Sequence, residues 1–279
     1  MKHLYLLKPT RQKVASITAF VCVVVLGISS ATNPTSAQNS CAALPDHSTL
    51  TSTLKSVVAA DDSGFDLDMW ATVVNRDGLV CAVSFSGGDR GDQWPGSRVI
   101  SAQKANTANA FSLPGLALST ANLWAATQPG QSLFGLQHSN PVSSDVAYGG
   151  PSSVAPNTKN YGQANDPLVG RLIGGVNVFG GGLALYNAEG TLIGGLGLSG
   201  DSSCADHIKA WKLRYALNLD NVPSGVSPTG DDNLVNDVAD NGHGIFLSAS
   251  GFGHPLCGGA SDAAEIANLP IGFPIGPAE

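Results

Sequence analysis

From Gly180 to Asp201 the chain reads Gly-Gly-Gly-Leu-Ala-Leu-Tyr-Asn-Ala-Glu-Gly-Thr-Leu-Ile-Gly-Gly-Leu-Gly-Leu-Ser-Gly-Asp, and no other stretch limits the possible folds so tightly. Two apolar arms flank Asn187-Ala188-Glu189-Gly190, where Gly190 can supply the positive φ of a chain reversal, so the segment predicts a β-hairpin. Glycine costs conformational entropy in a strand and packs nothing, so arms this rich in it need a reason. Two reasons are open: the bare backbone lets a helix or strand sit close, or it lets a flat ligand approach. After the hairpin, Ser199-Gly200-Asp201-Ser202 offers capping oxygens. Ile208, Trp211, Leu213, Tyr215, Ala216 and Leu219 then follow at helical spacing.

Gly195 to Gly200 also matches the G-x-G-x-x-G pattern of dinucleotide sites, with Asp220 downstream. Such a site needs a parallel βαβ unit, with the acid at the end of the next strand. Here the strand is the second arm of a hairpin and Asp220 lies at a helix exit, which argues against a nicotinamide cofactor.

Upstream, Met69 to Phe85 gives a second hairpin with β-branched and aromatic arms and an Arg76-Asp77-Gly78 turn. Helices are expected over 46–60, with Asp46 as cap, over 98–111, with Ser97 as cap, and over 116–127. Two antiparallel hairpins joining into one sheet with helices packed on it make a single α+β (α/β layer) domain. Residues 129–170 form a long loop rich in Gly, Pro, Ser and Asn, with Phe134 and Leu136 as apolar anchors. From Ser224 to Glu279 the composition shifts again, which reads as a Gly/Pro-rich wrap on the 38–223 domain, with a short strand at Ile245-Phe246-Leu247.

The N-terminus reads as a signal peptide. Lys2, Lys8, Arg11 and Lys13 precede an apolar run from Val14 to Ile28, and small residues offer cleavage after Ala37 or Ala31. The run is short for a membrane span. Export to the periplasm or the extracellular space is expected, without stable membrane insertion after cleavage. Losing residues 1–37 removes those four cations and no acid, so the net charge goes from −7 to −11. That balance argues against nucleic acid and anionic membranes as partners.

Cys22 leaves with the leader, and Cys41, Cys81, Cys204 and Cys257 remain. An even count in an exported chain without C-x-x-C spacing favours two disulfides over metal ligation. Of three connectivities, Cys41–Cys81 with Cys204–Cys257 ties each flanking segment to a hairpin-bearing unit and is preferred. No H-E-x-x-H pair, G-x-S-x-G elbow or close carboxylate pair is present, so spacing supports neither a zinc protease, a serine hydrolase nor a glycosidase. His207, one turn into the helix after the Gly-rich hairpin, and His138, in the long loop, are the histidines best placed to reach a ligand. Arg98, Lys104 and Arg171 stand out in an acidic protein and would suit carboxylates.

Three ordered pieces of the chain together resemble the GlcG/HbpS family of haem-binding proteins, also called the haem-degrading domain. They are Val73 to Gly78, Ser101 to Phe111, and Gly181 to Tyr186 with Gly194 to Gly200. The resemblance spans roughly residues 50–220. It implies a compact domain with an antiparallel sheet, a homo-oligomer, and haem as cofactor, either bound or also broken down. In the family's best-understood haem binder a threonine just ahead of the Gly-Gly of the second hairpin ligates the iron. Here that region reads Val176-Asn177-Val178-Phe179, which puts Asn177 in the neighbourhood and no threonine. The resulting expectation is haem, or a related planar anionic ligand, between the second hairpin and the 98–111 helix. Gly181 and Gly182 would form its bed, Arg98 or Lys104 would pair its carboxylates, and His138 or His207 would lie near the metal. The rival is a structural or interaction module of the cell envelope that binds no haem.

Overall fold

The computed structural model describes residues 41–149, 156–258 and 260–276, so the expected signal peptide lies outside the described residues. Both hairpins form where their turn chemistry puts them. β1 (Trp70–Asn75) and β2 (Val80–Phe85) meet at a turn in which Gly78 takes φ +80° and Asn75 Oδ1 accepts from the Asp77 and Leu79 amides. β3 (Gly182–Tyr186) and β4 (Leu192–Ser199) close over Gly190 at φ +70°. The hairpins join edge to edge through β1 and β4, giving one antiparallel sheet in the order β2-β1-β4-β3.

Helices cover both faces of this sheet. On one side α1 (His47–Ala59) and α5 (Ser203–Ala216) close over Ala71, Val73, Leu183, Leu185, Leu196 and Leu198. Asp46 caps α1 by accepting from the Thr49 amide, and Ser202 caps α5 by accepting from Ala205. On the other side α2 (Ser97–Phe111) lies along β4 and β1 with Val99, Ala102 and Ala105 inward, above Trp70, Val74 and Val83. Ser97 is the first residue of α2 rather than its cap; Gly96 holds the cap position without a side-chain bond.

Three expectations are corrected. The stretch 116–127 is not one helix but two 3-10 turns, Thr120–Leu123 and Ala125–Thr127. Its short polar side chains bond elsewhere: Ser119 and Asn122 bond each other, and the Thr120 hydroxyl accepts from Gly182 N. Such competition with the backbone disfavours a continuous helix. Second, Phe134 does not anchor the long loop, being exposed, and Leu136 is only half-buried. It holds two short helices, α3 (Leu136–Ser139) and α4 (Ser144–Tyr148), and is tied down by polar bonds described below.

Third, the tail carries more than the expected strand. A small hairpin of β5 (Val238–Asp240) and β6 (Phe246–Ser248) precedes α6 (Ala260–Gly272), whose Ile266 and Leu269 pack into the α1/α5 side of the core. Both disulfides, Cys41–Cys81 and Cys204–Cys257, are formed. Among the described residues no helix is long and apolar enough to cross a membrane.

Candidate functional site

The glycines of β4 alternate with leucines, and the pleat sends the two sets to opposite faces. Leu196 and Leu198 enter the α1/α5 core, while Gly195 and Gly197 face α2. That face is filled by α2 itself. A Cβ on Gly197 would lie 2.0 Å from Ser101 O, and one on Gly195 would lie 2.3 Å from Ala105 O. Gly181, at φ +105°, is backed by Leu198 O and Asp206, and Gly182 by Thr120 and Lys104 O. The bare ribbon therefore serves helix packing, and the expected ligand space between the second hairpin and the 98–111 helix is closed to a macrocycle.

The two cations of α2 are buried with partners of their own. Arg98 grips Asp166 with two guanidinium nitrogens, Nε donating at 2.8 Å, and stacks on the Tyr161 ring 3.9 Å away. Asp166 also accepts the Gly162 and Leu168 amides, so this pair pins the long loop to α2. Lys104 Nζ donates to Leu198 O at 3.0 Å and to Asp206 Oδ2 at 2.6 Å, while Asp206 Oδ1 accepts the Gly200 and Asp201 amides. Burial pushes the Lys104 amine down and the Asp206 carboxyl up, and their mutual attraction opposes both shifts. Neither cation is free to receive a propionate.

His207 is fully buried beside Trp211, with Nε2 accepting from Leu234 N at 3.2 Å. Burial, reinforced by the Arg214 charge, lowers its pKa to about 3, so the ring stays neutral. Asn177 is buried too, its Oδ1 accepting from Phe179 N. His138 is exposed on α3 and makes no side-chain bond among the described residues. The structure thus gathers Gly181, Gly182, Lys104 and His207 around the start of α5, and keeps Arg98 apart at the first turn of α2. Lys104 is fully engaged with protein, and His207 is bonded through Nε2 while its buried Nδ1 meets no partner among the described residues.

Open space lies elsewhere. A cavity of about 360 Å³, within the usual range of ligand sites, is lined by Trp70, Asp89, Arg90, Pro95, Thr158 and Tyr161. Tyr161 is the ring that covers Arg98. Arg90 is two-fifths exposed and, among the described residues, held only by a 3.4 Å contact to Asp89, so it can receive an anion. Trp70 is buried, and its Nε1–H meets no acceptor among the described residues. Aromatic walls, an available cation and an orphaned donor fit one edge of a planar anion.

A second opening of about 450 Å³, beside the Cys41–Cys81 bond, is lined by Asp46, His47 and Ala164. His47 Nε2 donates to Gly162 O at 2.8 Å, which leaves Nδ1 with its lone pair. Sequence reasoning singled out neither Trp70, Arg90 nor His47. The paired aromatics Trp70 and Phe85 at facing strand ends were the one available signal.

A family model described as haem degrading protein HbpS-like matches residues 55–212, more than half of the chain. The chain belongs to the HbpS-like family. No curated protein matches it. Among solved structures, PduOC in complex with heme is 23% identical, with 61% of this chain and 93% of that chain covered and a TM-score of 0.41. Klebsiella pneumoniae protein ORFY is 23% identical over 59% of this chain and 85% of its own, with a TM-score of 0.38. HbpS itself is 17% identical over 61% and 86%, with a TM-score of 0.37.

Proposed function

We propose that this HbpS-like protein is an exported haem-binding protein, taking haem or a related planar anionic ligand and working as a homo-oligomer. The observation that carries the reading is the family match across 55–212, which contains both hairpins, α2 and most of α5. One solved structure to which the chain is similar is a heme complex. The ligand's place in this reading is the Trp70–Tyr161–Arg90 cavity, because the space under α2 is filled. Arg90 would meet a carboxylate and Trp70 Nε1–H would gain its missing acceptor. Among the described residues His47, His138 and His243 are the histidines outside the core and accessible for iron.

Titrating the mature protein with hemin tests this. A saturable Soret shift at micromolar hemin is expected, weakened several-fold in R90A and unaffected by H207Q. Loss of haem absorbance with ascorbate and oxygen would add breakdown to binding. N-terminal sequencing of protein recovered outside the cytoplasm, starting after Ala37 or Ala31, checks export.

One observation favours the rival reading of an interaction module without haem: the protein's own helix occupies the glycine face. A flat hemin titration would leave that reading standing and end ours.

A further inference from the structure

The loop Gly253-His254-Pro255-Leu256-Cys257 is held at both ends of its first peptide, Gly253 O accepting from Ala125 N and His254 N donating to Val235 O. The His254 ring is almost wholly buried. Its Nδ1 lies 2.7 Å from Pro255 O, which can only accept, so Nδ1 carries the proton. Nε2 keeps its lone pair, facing the Ser203 hydroxyl at 2.8 Å. The two sulfurs of the Cys204–Cys257 bond sit beside this ring, and the three potential ligand atoms lie within 4.8 Å of one another. Cys204 is the second residue of the 14-residue α5, and its amide donates to Cys257 Sγ at 3.0 Å. A helix start favours negative charge on that sulfur.

We propose that when the Cys204–Cys257 bond is reduced, Cys204, Cys257 and His254 bind a divalent cation of the zinc class, leaving a fourth position open to water. The reduction takes two electrons and two protons from a dithiol: the S–S bond breaks, two thiols form, and the reductant closes its own disulfide. The cation then displaces the two thiol protons. Tetrahedral zinc, with bonds of about 2.3 Å to sulfur and about 2.0 Å to nitrogen, needs ligand atoms roughly 3.5–3.7 Å apart. The present spread requires at most about 1 Å of closure on the nitrogen side and a parting of the sulfurs. The Nδ1–H bond to Pro255 O is the outer contact that orients a ligating imidazole. The cation would take over the disulfide's task of tying the tail to α5. Spacing hid the site because 53 residues separate the cysteines.

The test uses the full mature chain, reduced with a phosphine so that no competing thiol is present, and titrated with Cd²⁺. Uptake of one Cd²⁺ per reduced chain is expected, with thiolate charge-transfer absorption, and none by the oxidised chain. Peptide mapping should show alkylation of Cys204 and Cys257 slowed at least tenfold, with Cys41 and Cys81 unprotected. H254A should weaken binding at least tenfold and H138A should not. No uptake, equal protection of all four cysteines, or H254A binding as wild type overturns the proposal. The alkylation map is read on the wild-type chain and stands even where H254A does not fold.

Discussion

Gly197→Ala is the substitution that most directly probes whether the second hairpin has room for anything besides α2. The new methyl would lie 2.0 Å from Ser101 O and 2.5 Å from Ala105 N, both backbone atoms of a helix interior. Neither can swing aside as a side chain would, so α2 must lift by more than 1 Å along its contact with β4. A gap of 0.5–1 Å already forfeits about a quarter to a half of each dispersion contact it opens. Val99, Ala102 and Ala105 all face that gap.

Overpacking typically costs about 1–3 kcal/mol, and a backbone-on-backbone clash belongs at or above the top of that range. For a chain of this size about 3 kcal/mol lowers Tm by roughly 6–12 °C. Gly190→Ala is the control. It has nothing within 4 Å but keeps φ +70°, so it pays only the left-handed strain of about 1–2 kcal/mol. Thermal unfolding by circular dichroism, with disulfides intact, compares the two. Should G197A melt no lower than G190A, the helix would have slack over the glycine ribbon. The space under α2 would then be open to a ligand, contrary to the packing described above.

Lys104→Met strands the Asp206 carboxylate in the interior, and urea unfolding should register a loss of about 3–5 kcal/mol; a loss under about 1 kcal/mol would mean the pair is not a structural pin. The disulfides close 40- and 53-residue separations, so C41S/C81S and C204S/C257S should each cost about 2–4 kcal/mol in the same assay, and a cost near zero in either would show that its segment is already held without the bond. His207, faced by Arg214, His254, Asn233 and Asp231, titrates near 3 in the fold against an ordinary 6.5. Below pH 6.5 the unfolded chain therefore binds a proton the native ring refuses, and stability falls as pH falls, by about 2 kcal/mol at pH 5 from this ring alone. The measurement is the difference in urea midpoint between pH 7.5 and 5 for wild type against H207Q. Asp206 and Asp220, shifted upward by burial and acting with opposite sign, cancel in that comparison. Equal pH dependence in the two proteins would refute the buried neutral ring.

What could be read from the sequence was local. Asp77-Gly78 and Asn187 with Gly190 announced the hairpins because turn chemistry is written in adjacent residues, and Asp46 and Ser202 announced helix starts for the same reason. The partners of the conspicuous cations were not readable: Asp166 is 68 residues from Arg98 and Asp206 is 102 from Lys104. Each looked free only because its counter-ion was remote. Helix α6 escaped notice inside a Gly/Pro-rich tail, although Ile266 and Leu269 stand at the i, i+3 spacing of a buried stripe.

The glycine pattern had two readings because a helix and a flat ligand ask the same thing of a strand, namely an absent Cβ. What separates them is periodicity. A ligand lying on the ribbon would need both the bare positions and an open face above them. A helix needs bare positions only at every second residue, where its own carbonyls come down. Gly195 and Gly197 meet Ala105 O and Ser101 O, one helical turn apart on α2, while Leu196 between them and Leu198 beyond are spent on the opposite core. A ribbon already matched turn for turn to its own helix has no second use for the same bare backbone. Ligand chemistry on this fold must therefore come from side chains beyond α2's footprint. Tyr161 and Arg90 meet that condition, and they line one cavity with Trp70, itself packed beside Val99 of α2, where the 86–96 connection faces the loop held by Asp166.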